Sequence, residues 1–112
     1  MPAKIPPFKL FFEIIFLESY ARLGTSEKKA IDKAIKTLAD NPRHPSLNIH
    51  KAKNVGGKYA TGGRDVFIAY ASKRMRFTFE YGPEAGMIAL RNCGHQEKTE
   101  KKMRWVKGQV FV

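Results

Sequence analysis

Basic and imidazole side chains recur from residue 50 onward, at the ends of segments that resemble short strands. Two of the three histidines belong to this series, and its other members are lysines and arginines. An imidazole accepts or donates a proton near neutral pH, and guanidinium and ammonium groups bind phosphate oxygens. Such a set predicts cleavage of a phosphodiester bond, in particular in RNA. Its members are His50, Lys51, Lys53, Arg64, Arg74, Arg76 and His95.

Cleavage of RNA by the ribose 2′-hydroxyl needs a base, an acid and cations that neutralise the transition state. We predict that His50 and His95 serve the two proton transfers, each typically worth about 10²–10⁴ in rate. Arg64 is the third candidate catalytic residue, because a guanidinium group matches two phosphate oxygens at once. No metal or other cofactor is expected, since histidines and carboxylates do not cluster at metal-ligand spacing. The predicted RNA- and phosphate-binding residues are Lys51, Lys53, Arg74 and Arg76.

Each of these residues also has a structural interpretation, as a solvated side chain on a strand or beside a turn. His44, which lies directly before Pro45, is predicted to be structural. The glycine pairs at 56–57 and 62–63 match no phosphate-loop pattern and are more typical of turns. Cys93 is predicted to be a small, half-buried residue near a strand end, and a single cysteine excludes an internal disulfide.

The bulk composition predicts one globular domain over residues 1–112, with an extended lead-in at 1–7 and a C-terminal arm at 103–112. A hydrophobic content of 43% supports a packed core. The 21 Lys and Arg residues exceed the 10 Asp and Glu residues, so the net charge is +11. This excess predicts a polyanionic partner: nucleic acid, an anionic membrane or an acidic protein. No apolar run reaches the length of a membrane span, and we expect a cytoplasmic protein without a membrane partner.

Hydrophobic spacing predicts an α+β fold that begins with a strand and two helices. A dense apolar segment at 8–16 predicts a first strand that runs into a helix, which Gly24 ends. Thr25 or Ser26 is predicted to cap a second helix, which Asn41 and Pro42 stop. Its apolar stripe comprises Ala30, Ile31, Ala34, Ile35 and Leu38.

Three or four antiparallel strands are predicted to follow, with the helices on one face of the sheet. The predicted strands are 47–53, resuming at 58–61, then 65–71, 74–81 and 87–92, and Gly94 ends the last one. Residues 97–107 are compatible with a helix. In the 74–81 segment, Phe77 and Phe79 alternate with Arg74 and Arg76. This alternation predicts that the arginines lie on a naked, cationic face while the phenylalanines face the helices.

Four segments, in this order and spacing, resemble the RelE/ParE superfamily of bacterial toxins. The segments read HKAK, GRDVFIAY, RMRFTF and CGHQE, and the resemblance covers roughly 8–102. It implies a strand–helix–helix–sheet fold and the role of toxin in a type II toxin–antitoxin system. In the favoured branch of the family the toxin cleaves ribosome-bound mRNA without a metal ion. The implied partners are a cognate antitoxin with an acidic or mixed-charge helix or strand, and mRNA with the ribosome.

The resemblance also assigns roles to individual positions. His50 matches an acid/base residue, Arg64 a phosphate-binding arginine that opens a strand, and His95 a terminal general acid. Lys51 and Lys53 match basic residues of their strand, whereas Arg76 matches no fixed position. Many family members carry a tyrosine in the terminal segment, and 96–102 has none. A stacking platform for the substrate would then come from another aromatic residue, Tyr59 or Trp105.

Two other functions fit the same features. A toxin similar to ParE would share the fold and the charge but would inhibit DNA gyrase without nuclease activity, and its effect would not depend on either histidine. A plain nucleic-acid-binding module would bind without sequence preference, and its affinity would fall steeply with salt.

Overall fold

The computed structural model describes residues 7–95. The predicted helix at 97–107, the C-terminal arm and most of the lead-in lie outside the described residues. The elements in chain order are β1 (Lys9–Phe12), α1 (Ile14–Ala21), α2 (Thr25–Asp40), β2 (His50–Gly56), β3 (Asp65–Tyr70), β4 (Met75–Tyr81) and β5 (Met87–His95), with short 3-10 turns at Pro45–Leu47 and Ala60–Gly62.

The five strands form one sheet in the order β1-β5-β4-β3-β2. β1 is parallel to β5, and the pairs β5–β4, β4–β3 and β3–β2 are antiparallel. The predicted α+β architecture, an N-terminal strand and helix pair followed by antiparallel strands, is therefore confirmed. β1 and β2 are the two edges of the sheet.

Helix α2 begins one residue earlier than a Thr25 cap would place it, and two residues earlier than a Ser26 cap would. Gly24 occupies the N-cap position, and its backbone N–H donates a hydrogen bond of 2.9 Å to Oε1 of Glu27. The carboxylate three residues into the helix thus satisfies a backbone donor at its start. Most of the predicted apolar stripe is buried, which confirms the predicted face of this helix. Its buried members are Ile31, Ala34, Ile35 and Leu38.

The main hydrophobic core lies between the helices and one face of the sheet, which we call the helix face. Phe77 and Phe79 of β4 point into this core together with Phe16 of α1 and Leu38 of α2. The prediction that Phe77 and Phe79 face the helices is confirmed. Burial of these large apolar side chains supplies most of the driving force for packing the helices on the sheet.

The opposite face of the sheet, the second face, is not naked along β4. Arg76, Thr78 and Glu80 project from it and are 3%, 0% and 1% exposed. A small apolar cluster of Ala52, Val66 and Ile68 continues this face onto β2 and β3. The predicted open cationic face is therefore wrong for β4.

A segment that we call the strap, residues 57–63, covers one end of the second face. The backbone N–H groups of Lys58 and Tyr59 donate hydrogen bonds of 2.9 and 3.2 Å to Oε1 of Glu80. A Cβ atom at Gly57 would collide with the same carboxylate, so the close approach needs a glycine. The strand predicted at 58–61 is wrong, because these donors bond to a buried side chain instead of a neighbouring strand.

Strand β5 continues three residues beyond its predicted end at Asn92. Cys93 pairs with Phe77, Gly94 with Arg76 and His95 with Met75. Gly94 therefore lies inside the strand. No helix within residues 7–95 is long and apolar enough to cross a membrane.

Candidate functional site

Cross-strand pairing assigns each candidate side chain to a face of the sheet. His50 pairs with Ile68, and Arg76 pairs with Tyr70. Directly opposed residues share a face, and residues two apart on a strand share it too. Because Ile68 belongs to the apolar cluster of the second face, His50, Tyr70 and Arg76 all lie on that face. They lie at the end of the sheet away from the strap, and we call them the His50 cluster.

Arg76 is buried within this cluster and organises the β3–β4 turn. Its Cζ atom lies 3.4 Å from the centroid of the Tyr70 ring, in the geometry of a cation–π contact. Its Nη1 atom donates to the carbonyl oxygens of Ser72, Lys73 and Met75 at 2.8, 3.0 and 3.1 Å. The expectation of an exposed Arg76 is wrong, because the guanidinium group bonds to the turn and stacks on Tyr70.

The His50 imidazole is exposed to solvent beside the edge of the Tyr70 ring. The two ring centroids are 6.2 Å apart and the planes meet at 74°. The Nδ1 atom lies 3.4 Å from the carbonyl oxygen of Asn48, which is a long contact. The adjoining β3–β4 turn carries Lys73 and Arg74, both exposed. The cluster therefore exposes an imidazole, and the adjoining turn exposes two cations. Tyr70, which the sequence reasoning did not single out, holds the cluster together.

His95 lies on the helix face, because its partner Met75 belongs to the main core. Its Nε2 atom is 2.9 Å from Oε2 of Glu27, at the start of α2. Glu27 thus binds the N-cap backbone with one oxygen and His95 with the other. Since the sheet separates His95 from His50, the geometry does not support the two acting as acid and base on one phosphate.

Arg64 lies at the opposite end of the second face, directly after the strap. Its backbone has a left-handed φ of 62°. Its N–H donates to the carbonyl of Tyr59 at 3.1 Å, and its own carbonyl accepts from the N–H of Gly57 at 2.8 Å. Along β3, at about 3.3 Å per residue, Arg64 is about 13 Å from Ile68, the partner of His50, and about 20 Å from Tyr70. The structure therefore does not bring Arg64 to the His50 cluster.

The predicted lysines line the β2 edge of the sheet. Ala52 is 5% exposed and packs inward, so Lys51 and Lys53 on either side of it project to solvent. The Nζ atom of Lys51 is 3.1 Å from Oδ1 of Asp65, and both side chains are well exposed. An ion pair in such a position adds little to stability and leaves the lysine accessible.

A buried charge network lies under the strap, and the sequence reasoning missed it. Arg91 Nε is 3.2 Å from Glu80 Oε2, and both side chains are essentially inaccessible. Burial lowers the pKa of Arg91, and the charges of Glu80 and Glu13 oppose that effect. The Tyr59 hydroxyl donates a 2.7 Å hydrogen bond to Glu13, and burial together with this bond raises the Tyr59 pKa. The hydroxyl of Tyr59, one of the two predicted stacking residues, is therefore bound within this network.

The structure also bears on metal binding. Across residues 7–95, no three His, Cys, Asp or Glu side chains lie close enough together to hold a metal ion.

The fold resembles those of solved toxins. An archaeal RelE–RelB complex from Pyrococcus horikoshii OT3 superposes with a TM-score of 0.61 at 11% identity, over 80% of this chain and 96% of that chain. A mutant of Escherichia coli RelE in the free state gives 0.59 at 16%, over 84% and 88%. The YoeB dimer from Staphylococcus aureus gives 0.58 at 15%, over 80% and 98%. No protein-family model and no curated protein matches the sequence. The chain thus has the fold of the RelE- and YoeB-type toxins.

Proposed function

We propose that this protein is the toxin of a type II toxin–antitoxin system and that it cleaves ribosome-bound mRNA. The observation that carries the proposal is the exposed His50 imidazole, beside Tyr70 and the turn that bears Lys73 and Arg74. The fold, which is shared with RelE and YoeB, supports it. The net charge of +11 fits a polyanionic substrate and an acidic or mixed-charge antitoxin.

The reaction proposed at this cluster is an intramolecular transesterification of the RNA. The 2′-oxygen attacks the adjacent phosphorus, the bond from phosphorus to the 5′-oxygen breaks, and a 2′,3′-cyclic phosphate and a 5′-hydroxyl result. His50 takes the 2′-hydroxyl proton, because a positioned imidazole can act as a general base. In this proposal Lys73 and Arg74, on the adjoining turn, neutralise the added charge on the phosphate oxygens. The 5′-oxygen takes a proton as it leaves.

The test is a reconstituted translation reaction with a defined mRNA in excess chelator, with cut ends mapped by primer extension. We expect the wild-type protein to make discrete cuts that require ribosomes. His50→Gln should slow them by about 10² or more, the range of a lost proton-transfer group. The matched control is His44→Asn, which changes another exposed histidine, six residues earlier in the chain. Asparagine can still accept the Ser46 N–H that His44 Nδ1 accepts at 3.1 Å. Cleavage by His50→Gln at the wild-type rate would rule out the proposed role.

A gyrase-directed toxin is the second candidate, and one observation favours it. His95 and Arg64 lie on another face and at another end from His50, so the predicted acid–base set is not assembled in one place. A toxin that only binds its target needs no such assembly. This alternative predicts intact mRNA in the translation reaction and inhibition of supercoiling by purified gyrase, with His50→Gln as active as the wild type.

A further inference from the structure

The leaving 5′-oxygen needs a proton in the proposed reaction, and the residue expected to supply it is in the wrong place. Negative charge develops on this oxygen as its bond to phosphorus breaks, and a positioned acid is typically worth about 10²–10⁴ in rate. The family resemblance assigns this step to His95, which lies on the helix face and binds Glu27 at 2.9 Å. A proton donor for this step has to lie on the second face, beside His50.

Tyr70 is the other side chain of the His50 cluster that can give a proton to an oxygen. Its ring centroid is 6.2 Å from that of His50, and the two planes meet at 74°. This agrees with the pairing of His50 with Ile68, two residues before Tyr70 on the same face. A phenolic hydroxyl is a hydrogen-bond donor that carries its proton at neutral pH, as a general acid must before the step.

The arrangement of the two rings suits a phosphate that contacts both. The attacking and leaving oxygens lie roughly in line on opposite sides of phosphorus, so the base and the acid approach the phosphate from different sides. Each group makes a hydrogen bond of about 2.8 Å to its own oxygen. Within residues 7–95, His50 and Tyr70 contact each other through their rings and are not joined by a hydrogen bond. Both polar groups can therefore bond to a substrate.

The Tyr70 hydroxyl is available to a ligand. Tyr20 and Tyr59 donate their hydroxyl protons to carboxylates, each at 2.7 Å. Among residues 7–95, the Tyr70 hydroxyl has no such partner, although the side chain is half-buried. Buried and half-buried polar groups normally have a hydrogen-bond partner, so this hydroxyl is one that a bound substrate can satisfy.

Arg76 holds the Tyr70 ring before any substrate binds. Its Cζ atom is 3.4 Å from the ring centroid, and three carbonyl oxygens of the β3–β4 turn accept from its Nη1 atom. The residue is 3% exposed, so solvent ions screen its charge much less than they would at the surface. A fixed positive charge over the ring stabilises the negative charge that develops on the phenolic oxygen as it loses a proton.

We infer that Tyr70 is the general acid of the proposed cleavage and protonates the leaving 5′-oxygen. The inference rests on the proposed function, because it names the proton donor of that reaction. The 2′-oxygen bonds to phosphorus and gives its proton to His50, while the bond from phosphorus to the 5′-oxygen breaks. That oxygen takes the Tyr70 proton and leaves as a hydroxyl. The imidazolium then loses one proton to water and the phenolate gains one, which restores the starting state.

The test replaces the leaving 5′-oxygen by sulfur. Ribosomes are programmed with a synthetic mRNA that carries either the natural linkage or a 5′-phosphorothiolate linkage at the mapped cut site. The sulfur departs as a thiolate, which is a far weaker base than an alkoxide, so its departure needs no general acid. Single-turnover cleavage rates are measured for both linkages.

Tyr70→Phe removes the hydroxyl and keeps the ring, with its contacts to Arg76 and His50. It should slow cleavage of the natural linkage by about 10² or more and cut the sulfur linkage at close to the wild-type rate. His50→Gln should slow both linkages, because both need the 2′-hydroxyl to lose its proton. The matched control is Tyr81→Phe, which removes the hydroxyl of a half-buried tyrosine that packs on the main core. It should cut both linkages like the wild type.

A urea titration shows that each variant folds, and the Tyr70 hydroxyl has no protein partner whose loss would weaken the fold. If folded Tyr70→Phe slows both linkages equally, the hydroxyl is not the proton donor, and the inference fails while cleavage at His50 stands. Wild-type cleavage of the natural linkage by Tyr70→Phe would also overturn it. A wild-type protein that cuts neither linkage would overturn the proposed function and this assignment with it.

Discussion

Cys93 shows what burial does to a single reactive group. The thiol is 4% exposed within the main core, and its sulfur is 3.6 Å from the Ser19 hydroxyl. Burial raises its pKa to about 11, and the contact with Ser19 opposes this shift only in part. Since the thiolate is the reactive form, this cysteine is an internal side chain and is poorly suited to act as a nucleophile.

We predict that Cys93 in the folded protein reacts slowly with a disulfide reagent at pH 8 and rapidly in urea. The folded pKa lies above the unfolded value of about 8.5, so the thiol form favours the folded state. The stability that it contributes is complete below about pH 8.5 and is lost as the pH rises to about 11. The stability of Cys93→Ala should therefore fall less than that of the wild type over this range. Fast labelling of the native protein at pH 8 would contradict the burial.

At the scale of elements, the strap and β4 depend on a buried ion pair. Glu80 accepts two strap N–H groups and pairs with Arg91 under the strap. Removing one member of a buried pair leaves the other charged and desolvated, which typically costs about 3–5 kcal/mol. An exposed pair such as Lys51–Asp65 is typically worth about 0–1 kcal/mol.

Glu80→Ala should therefore lower the free energy of unfolding by about 3–5 kcal/mol in urea titrations. Asp65→Ala, at the exposed pair, should cost less than about 1 kcal/mol. Glu80→Gln keeps a hydrogen-bond acceptor for the strap, so its loss in free energy of unfolding should lie between those of the other two variants. If Glu80→Ala and Asp65→Ala lose the same free energy of unfolding, burial does not determine how much each ion pair contributes to stability.

At the scale of the whole molecule, the sheet divides the candidate residues between its two faces. His50 lies on the second face, the face whose other end the strap covers. His95 lies on the helix face, where it binds Glu27. Groups that act in one step are strongly non-additive when removed together, whereas separated groups act independently.

We predict that the effects of His50→Gln and His95→Gln on single-turnover mRNA cleavage multiply in the double variant. The control is Glu27→Gln, which removes the charged partner of His95 and should reproduce any effect of His95→Gln. If each single histidine variant loses activity and the double variant loses no more than one of them, the two side chains act together. The arrangement on opposite faces would then not be the one that cleaves RNA.

Local sequence determined the elements of this protein. The apolar spacing in α2 predicted a helix and its buried face, because a 3.6-residue period is a property of the segment itself. The alternation in β4 likewise reported that Phe77 and Phe79 share the core face. The basic residues and histidines were also visible in the sequence, and their chemistry predicts a polyanionic ligand.

Only the tertiary structure decided which of these residues meet. Alternation within β4 predicts that Arg76 and Phe77 project from opposite faces of the sheet. Whether the face with Arg76 is open to solvent depends on the strap, Tyr70 and the β3–β4 turn, and the local sequence pattern does not predict these contacts. The face of His95 depends on the continued pairing of β5 with β4, beyond the predicted strand end. Strand pairing and the covering of a sheet face depend on contacts between residues that are far apart in the sequence. A one-residue change of strand register moves a side chain to the other face of the sheet. For this reason the sequence could identify the candidate residues but not bring them together in one site.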